Sequence, residues 1–500
     1  MRREYEAMKK TENKCMLITY ADSMGGDLKA LERVLDTYFR EEIAGVHILP
    51  FFPSSGDRGF AVINYDGVDP EFGTWEDIDR LADKYFLAAD FMLNHISIRA
   101  EEFRDYMLRG DASPYRDMFI RWEEFWPRGE PTEDDLAVLY SRKPGGPCRA
   151  FTLADGSEVR LWCTFYEEQV DVDPYAEATR EYYRRNLGRI ASHVPMIRFD
   201  AFAYTSKVPG TSCFFVEPQI WDILDISTEP LRETGTDMLA EIHEEYHIQL
   251  KLAERGHYVY DFALPLLLLH AIEFKRTDRL KHWLEICPRR QITTLDTHDG
   301  IGVVDAAGLM TEDEIDDIAR VVMERYNRAF SAVPEELRKK DPMPNGIINI
   351  GGRQKIYQLP GTFFSDMGED EDGYLLARAV QLFTPGIPQI YYVGLLAGTN
   401  DFSCLERGEG GREINRHNFT EAEIAERVKA PFLRRLFALM RLRNTSDAFN
   451  GDFSVRQGKS PAELVLRWDK GGDYAELTAD FEKKTVEVRV PSGVYDLDRG

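Results

Sequence analysis

Residues 196–204 read Met-Ile-Arg-Phe-Asp-Ala-Phe-Ala-Tyr, an apolar run that carries a cation at 198 and a carboxylate at 200. Strands covered on both faces, as in parallel sheets, read as near-continuous apolar runs. Seven other stretches have this form: MLITYAD (16–22), GVHILPFFP (45–53), FLAADFMLNH (86–95), MLAEIHEE (238–245), HYVYDFALP (257–265), QITTLDTHDG (291–300) and IPQIYYVG (387–394). Most are followed by helical periodicity, as in LKALERVLDTYFREEI (28–43) and TWEDIDRLADKY (74–85). In the second of these Thr74 is an N-cap, with Asp77 three residues on. Eight such repeats predict an α/β chain folded as a (β/α)8 barrel rather than an open sheet.

Two stretches break the rhythm. One, 96–175, is irregular, aromatic and charged, and is read as an inserted subdomain after strand three. The other, 301–371, follows strand seven and contains the helical pattern TEDEIDDIARVVMERYNRAF (311–330) and a loop with Pro and Gly. The barrel is expected over 14–95, 176–300 and 372–445, ending in a helix over 431–443 with Pro431 at its first position. Beyond it the period changes to two, as in Leu464-Val-Leu-Arg-Trp468 and Thr485-Val-Glu-Val-Arg-Val490, which predicts a small antiparallel β domain over 446–500.

Composition narrows the function classes. The chain has 62 basic and 87 acidic residues, a formal charge of −25, which repels nucleic acid and anionic membranes. No apolar run reaches the roughly 18 residues of a membrane helix; the run 262–272 is interrupted by Pro265 and His270. The first residues are charged, with no apolar core behind them, so no secretory signal is expected. The six cysteines form no CxxC pair, which argues against zinc or a disulfide framework and for a cytoplasmic protein. No GxGxxG opens a helix after a strand and no Asp/Asn loop has calcium spacing. No metal and no cofactor are expected, and the chain is read as a monomer or homodimer.

In a barrel, catalytic residues sit where strands end. Here those positions hold Asp22, Asp57, Asn94, His95, Arg198, Asp200, Glu241, His243, Asp261, His298 and Asp299. Any one acid there caps a helix or pairs with an arginine. Three of them, Asp200, Glu241 and Asp299, each beside Arg or His, fit another chemistry better. Two carboxylates flanking a glycosidic bond are the minimum for glycoside transfer, one as nucleophile and one as acid/base. A third stabilises positive charge in the transition state.

Four segments, Asp90-Phe-Met-Leu-Asn94-His95, Arg198-Phe-Asp200, Glu241 in LAEIHE, and His298-Asp299, resemble the signature regions of the α-amylase clan of glycoside hydrolases. The resemblance implies Asp200 as nucleophile, Glu241 as general acid/base and Asp299 as transition-state stabiliser. It also implies His95 and His298 on glucose hydroxyls, and Arg198 orienting Asp200. Within the clan, LITYAD, GVHILPFFPSSGDRGF, GTSCFFVEP, YVYDFALP, LDTHDGIGVVD, TPGIPQIYYVGLLAG and REINRHN are similar to the sucrose phosphorylases, from Met16 to the C-terminal β domain. By that resemblance Asp57 and Arg416 close the glucose pocket beyond the 4-hydroxyl, and Phe60 lies under the ring. Tyr204, Tyr357 and Gln358 match positions that contact fructose. The substrates it implies are sucrose or a related small α-glucoside, and inorganic phosphate.

The family's phosphate-binding arginine aligns with Arg142 or with Lys143. The acceptor loop departs from the pattern, because Lys355-Ile-Tyr-Gln358 has lysine where the family has aspartate on fructose. That reversal of charge leaves sucrose 6′-phosphate, glucosylglycerol and glucosylglycerate as further donor substrates. It also makes Lys355 an acceptor-site residue. Hydrolysis or transglucosylation on the same glucosyl-enzyme, and a catalytically dead binding subunit, are the competing readings.

Overall fold

The computed structural model describes residues 9–143, 145–339, 347–350, 353–356, 358–359, 361–409 and 411–498. All eight anticipated strands are present: β1 (Met16–Thr19), β2 (Gly45–Ile48), β3 (Phe86–Met92), β4 (Met196–Asp200), β5 (Asp237–Ala240), β6 (Tyr258–Asp261), β7 (Gln291–Thr293) and β8 (Ile387–Tyr391). They close into a barrel in the order β1-β8-β7-β6-β5-β4-β3-β2. The strands are shorter than the apolar runs that announced them, and some runs end in polar groups beyond the ladder, such as His298 and Asp299 after β7.

The chain divides into two compact units. The first comprises Met1–Thr11, Ile48–Ile242 and Ile348–Lys355. Here β3 pairs in parallel with β4, setting Asp90 opposite Arg198 and Met92 opposite Asp200. β4 pairs with β5, setting Arg198 opposite Leu239 and Phe199 opposite Ala240. Every residue of β3 and β4 is buried. The helix Trp75–Lys84 begins at the expected capping box between Thr74 and Asp77. The first insertion contains a hairpin, Cys148–Thr152 with Glu158–Trp162, and its Trp122, Trp126 and Trp162 form a small core with Cys213 from beyond β4. Its last strand, Gln169–Asp171, runs antiparallel to His95–Ser97 and puts Asp171 opposite His95.

The second unit comprises Glu12–His47, His243–Ile347 and Ile356–Gly500. β1 pairs with β8, β6 with β7, and β7 with β8, all parallel. The helix anticipated over 28–43 is Leu28–Tyr38. It stops there because Phe39 is buried edge-on against Phe437, at 5.5 Å between ring centres. The next turn is then held by the helix Pro431–Thr445. Asn444 Nδ2 donates to the carbonyls of Glu41 and Glu42, both at 2.8 Å, and Arg441 pairs with Glu42. The helix Glu312–Ser331 starts at a capping box between Thr311 and Glu314.

The C-terminal segment is a separate antiparallel sheet of consecutive strands, β9 (Asp452–Gln457), β10 (Glu463–Lys470), β11 (Asp473–Asp480), β12 (Thr485–Val490) and β13 (Gly493–Val494). Its buried face is set by cross-strand pairs Leu464–Ala479, Leu466–Leu477 and Trp468–Ala475. Trp468 Nε1 donates to the Phe383 carbonyl at 2.7 Å and ties the sheet to the helix Glu371–Phe383. Among the described residues no helix is long and apolar enough to cross a membrane.

Under the β7–β8 edge lies a fully buried ion pair. Arg378 Nη2 donates to Asp296 Oδ1 and Oδ2 at 2.8 and 2.9 Å, and Arg378 also bonds Tyr374 and Gln381. Burial pushes the Asp296 carboxyl up and Arg378 pulls it back down. Gly394 is required there, since a Cβ would sit 2.1 Å from Arg378 Nη2. Arg378→Met is expected to destabilise the fold by about 3–5 kcal/mol, because it strands a buried carboxylate. Arg378→Met with Asp296→Asn should cost less than Arg378→Met alone. Denaturant midpoints test both, and a neutral Arg378→Met would show that water reaches the pair.

Candidate active site

In the first unit the ends of β3, β4 and β5 bring three carboxylates to one guanidinium. Arg198, 2% exposed, donates from Nη1 to Asp200 Oδ1 at 3.0 Å and pairs through Nη2 with Glu241 Oε1 at 2.8 Å. It also bonds Asp90, its register partner on β3. The remaining Glu241 oxygen, Oε2, accepts from the Ala201 N–H at 3.0 Å. Ala201 can aim that N–H because it adopts a left-handed conformation, φ +54° and ψ 29°, directly after Asp200. Non-glycine residues in that region are uncommon and gather at functional sites.

Around this centre stand Phe60, His95 and a wall of rings. The Arg198 guanidinium lies 5.7 Å from the Phe60 ring centre. His95 Nε2 is 3.2 Å from the Phe60 carbonyl oxygen, and burial pushes the His95 pKa down, which favours the neutral ring. Phe165 packs edge-on against both His95 and Tyr204, at 5.4 and 5.0 Å. Tyr204 also meets Tyr140 and Phe214. Its phenol is pushed up by burial, with the Arg142 charge acting in the opposite sense. Asp57 accepts from Gln169 Nε2 at 3.1 Å. It begins a turn in which Asp57 and Arg58 both have positive φ, 51° and 47°. Lys143 lies in the same loop as Arg142, and its charge acts on Cys148 and Cys163.

The second unit carries His298, Asp299, Arg416 and Gln358. His298 Nε2 is 3.3 Å from Asp299 Oδ2. Asp299 Oδ1 faces Arg412 Nη1 at 3.5 Å and Arg416 Nη2 at 3.7 Å. Arg416 donates from Nε to the His298 carbonyl at 2.9 Å and pairs with Glu413 at 3.0 Å. Burial works against the Arg416 charge, but Tyr20, Glu413 and Asp299 outweigh it and the pKa is raised. Gln358 is buried, and its backbone pairs with Gly302, three residues past Asp299. Lys355 is carried on the strand Arg353–Ile356, and Tyr357 lies outside the described residues. A ring nitrogen of His243 and an Asp299 oxygen come within 4.8 Å, a spacing that suits a metal ion. The two guanidiniums already on Asp299 disfavour a further cation there.

Comparison with known proteins gives the family. The α-amylase catalytic domain model matches residues 7–209. The chain is 44% identical over 483 residues to the sucrose phosphorylase of Streptococcus mutans, covering 95% of this chain and 97% of that protein. The chain belongs to the sucrose phosphorylase-like branch of the α-amylase clan. A glucosylglycerol phosphorylase from Marinobacter adhaerens is 39% identical, over 95% of this chain and 96% of its own. The crystal structure of a sucrose 6F-phosphate phosphorylase from Thermoanaerobacter thermosaccharolyticum superposes with a TM-score of 0.89 at 38% identity, covering 97% of this chain and 99% of that one. The protein is therefore a glycosyltransferase-type phosphorylase, and its relatives differ in the group that leaves glucose.

One buried cation in this phosphorylase carries no local sequence signal. Lys207 Nζ bonds Asp171 Oδ2 at 2.8 Å, Asn94 Oδ1 at 2.7 Å and the Tyr204 carbonyl at 2.6 Å. Asp171 in turn accepts from Asn94 Nδ2 and from the N–H and hydroxyl of Thr164. One ammonium thus ties the end of β3, the first insertion and the turn after β4, next to His95 and at Tyr204. A lysine in a loop usually reads as solvated, and its carboxylate partner is 36 positions away, so no local pattern marks it. Lys207→Met is expected to cost about 3–5 kcal/mol by leaving Asp171 buried without its cation, read as a lower denaturant midpoint. A loss under about 1 kcal/mol would mean that Thr164 and Asn94 suffice to hold the carboxylate.

Proposed function

We propose that the enzyme catalyses retaining phosphorolysis of sucrose, yielding α-D-glucose 1-phosphate and D-fructose through a glucosyl ester on Asp200. The observation that carries the retaining mechanism is Arg198, buried and bonded at once to Asp200 and Glu241. It holds the nucleophile ionised, in line with the rule that an adjacent cation favours a carboxylate, and keeps the acid/base on the same centre.

In the first step the Asp200 carboxylate attacks the anomeric carbon. The bond from that carbon to the fructosyl oxygen breaks, and Glu241 gives its proton to that oxygen. In the second step Glu241 takes a proton from hydrogen phosphate while a phosphate oxygen attacks the same carbon, and the ester to Asp200 breaks. Two inversions retain configuration. Asp299 stabilises the positive charge of both transition states. His95 and His298 hold glucose hydroxyls, Phe60 lies under the ring, and Asp57 and Arg416 close the glucose site beyond the 4-hydroxyl.

Tyr204, Tyr357 and Gln358 take the leaving sugar, which supports fructose. For phosphate the reading favours Arg142 over Lys143. The Arg142 charge acts on Tyr204 in the acceptor-side ring cluster, and a guanidinium offers phosphate a paired donor set that ammonium lacks. Lys355 favours a second reading, in which the leaving group carries a phosphate or another anion.

The test is phosphate-dependent formation of α-glucose 1-phosphate with sucrose, sucrose 6′-phosphate and glucosylglycerol as parallel donors. Sucrose is expected to give the product fastest. Product from one of the others alone would move the leaving group to that class and give Lys355 a part in the choice. Release of glucose in place of the phosphate ester would replace phosphorolysis by hydrolysis on the same glucosyl-enzyme.

A further inference from the structure

Two residues after Glu241, His243 begins the second unit, and the proposed mechanism gives it no task. Its Nδ1 lies 3.1 Å from Asp305 Oδ2, and both side chains are buried. A carboxylate oxygen accepts in this contact, so Nδ1–H is the donor of the pair. The imidazole lies flat on Phe262, at 4.1 Å and 17° between planes, and Phe262 lies flat on Tyr260 at 4.6 Å. The ring is therefore held by a carboxylate at one edge and by a stack on one face.

The backbone is shaped around the same pair. Gly302 passes so close that a Cβ there would be 2.2 Å from Asp305 Oδ2 and 3.2 Å from His243 Nδ1. Gly302 pairs with Gln358, the proposed leaving-group contact. A ring nitrogen of His243 also comes within 4.8 Å of Asp299. Asp305, six positions beyond Asp299 in the short turn Val304–Ala306, thus lies behind a histidine at the site rather than on a surface. Both partners are almost closed to water, where an arrangement of this kind holds one tautomer firmly.

We propose that Asp305 is a positioning residue of the reaction, acting through His243. It keeps the proton on Nδ1 and the ring plane fixed, so that Nε2 meets an O–H of the leaving sugar in the first step and of hydrogen phosphate in the second. This rests on the proposed phosphorylase reading. An asparagine at 305 also has an amide N–H that turns toward Nδ1 and moves the proton to Nε2, the wrong tautomer for that contact.

The experiment is a double-mutant cycle with Asp305→Asn, His243→Gln and both together in the full chain. Release of the leaving sugar and formation of α-glucose 1-phosphate are followed separately, with thermal unfolding as a check of folding. Asp305→Asn is expected to lower kcat for phosphorolysis by roughly 10- to 100-fold, the loss seen when an orienting partner of a functional histidine is removed. The donor KM should stay within about threefold, and the double variant should be no slower than His243→Gln alone, since groups acting as one unit are not additive. Full activity in a folded Asp305→Asn would overturn the proposal. So would losses that multiply in the double variant, or a slower rate explained by unfolding and relieved on cooling. If the parent enzyme releases sugar without forming the phosphate ester, the phosphorylase reading fails by itself, and the cycle is then judged on hydrolysis.

Discussion

A guanidinium with almost no access to water faces three carboxylates, and the arrangement of the acids in the first unit depends on it. Arg198 bonds Asp90, Asp200 and Glu241. Burying one cation among three acids is costly unless each is paired and hydrogen-bonded. The fold meets that condition by register: Asp90 is opposite Arg198 on β3, and Glu241 follows Ala240, which is opposite Phe199. One positive charge does not neutralise three negative ones. A retaining glycoside-transferring enzyme needs a proton on its acid and none on its nucleophile, and the proposed roles of Glu241 and Asp200 place both beside this one guanidinium.

The second unit applies the same idea around a different carboxylate. Asp299 is met by His298, Arg412 and Arg416, and Arg416 is itself fastened to the His298 carbonyl. Two guanidiniums beside a carboxylate favour its charged form, which suits the stabilising role proposed for Asp299. Just beyond it the chain enters the short ladder of Ile301–Gly302 with Gln358–Leu359. Gln358, proposed to contact the leaving group, is thereby held by backbone pairing to the strand that follows Asp299.

The eight strands were legible because parallel strands hide both faces, so β3, β4 and β8 are buried throughout and mostly apolar, with Arg198 and Asp200 as the charged exceptions on β4. The strand-end acids were legible because charge at the end of such a run has few structural reasons to be there. Helix ends were less so. Periodicity carried the helix from Leu28 to residue 43, whereas Phe39 left it for a tertiary contact with Phe437 that no local pattern records. The two positioning networks were hidden for a related reason. Lys207 finds Asp171 from the first insertion, and His243 finds Asp305 across 62 positions. Each residue has an ordinary solvent-facing or capping reading, and only the meeting of distant segments gives it a task.

The claim on which the account turns is that glucose passes through a covalent ester on Asp200. The most direct measurement is peptide mass spectrometry of the Glu241→Gln variant after reaction with an α-glucosyl donor whose leaving group needs no proton. The account predicts one glucosyl unit on the peptide that contains Asp200, lost on adding an anionic nucleophile that needs no general base. A glucosyl unit on any other residue, or product formed with no such adduct and with inverted configuration, would contradict it.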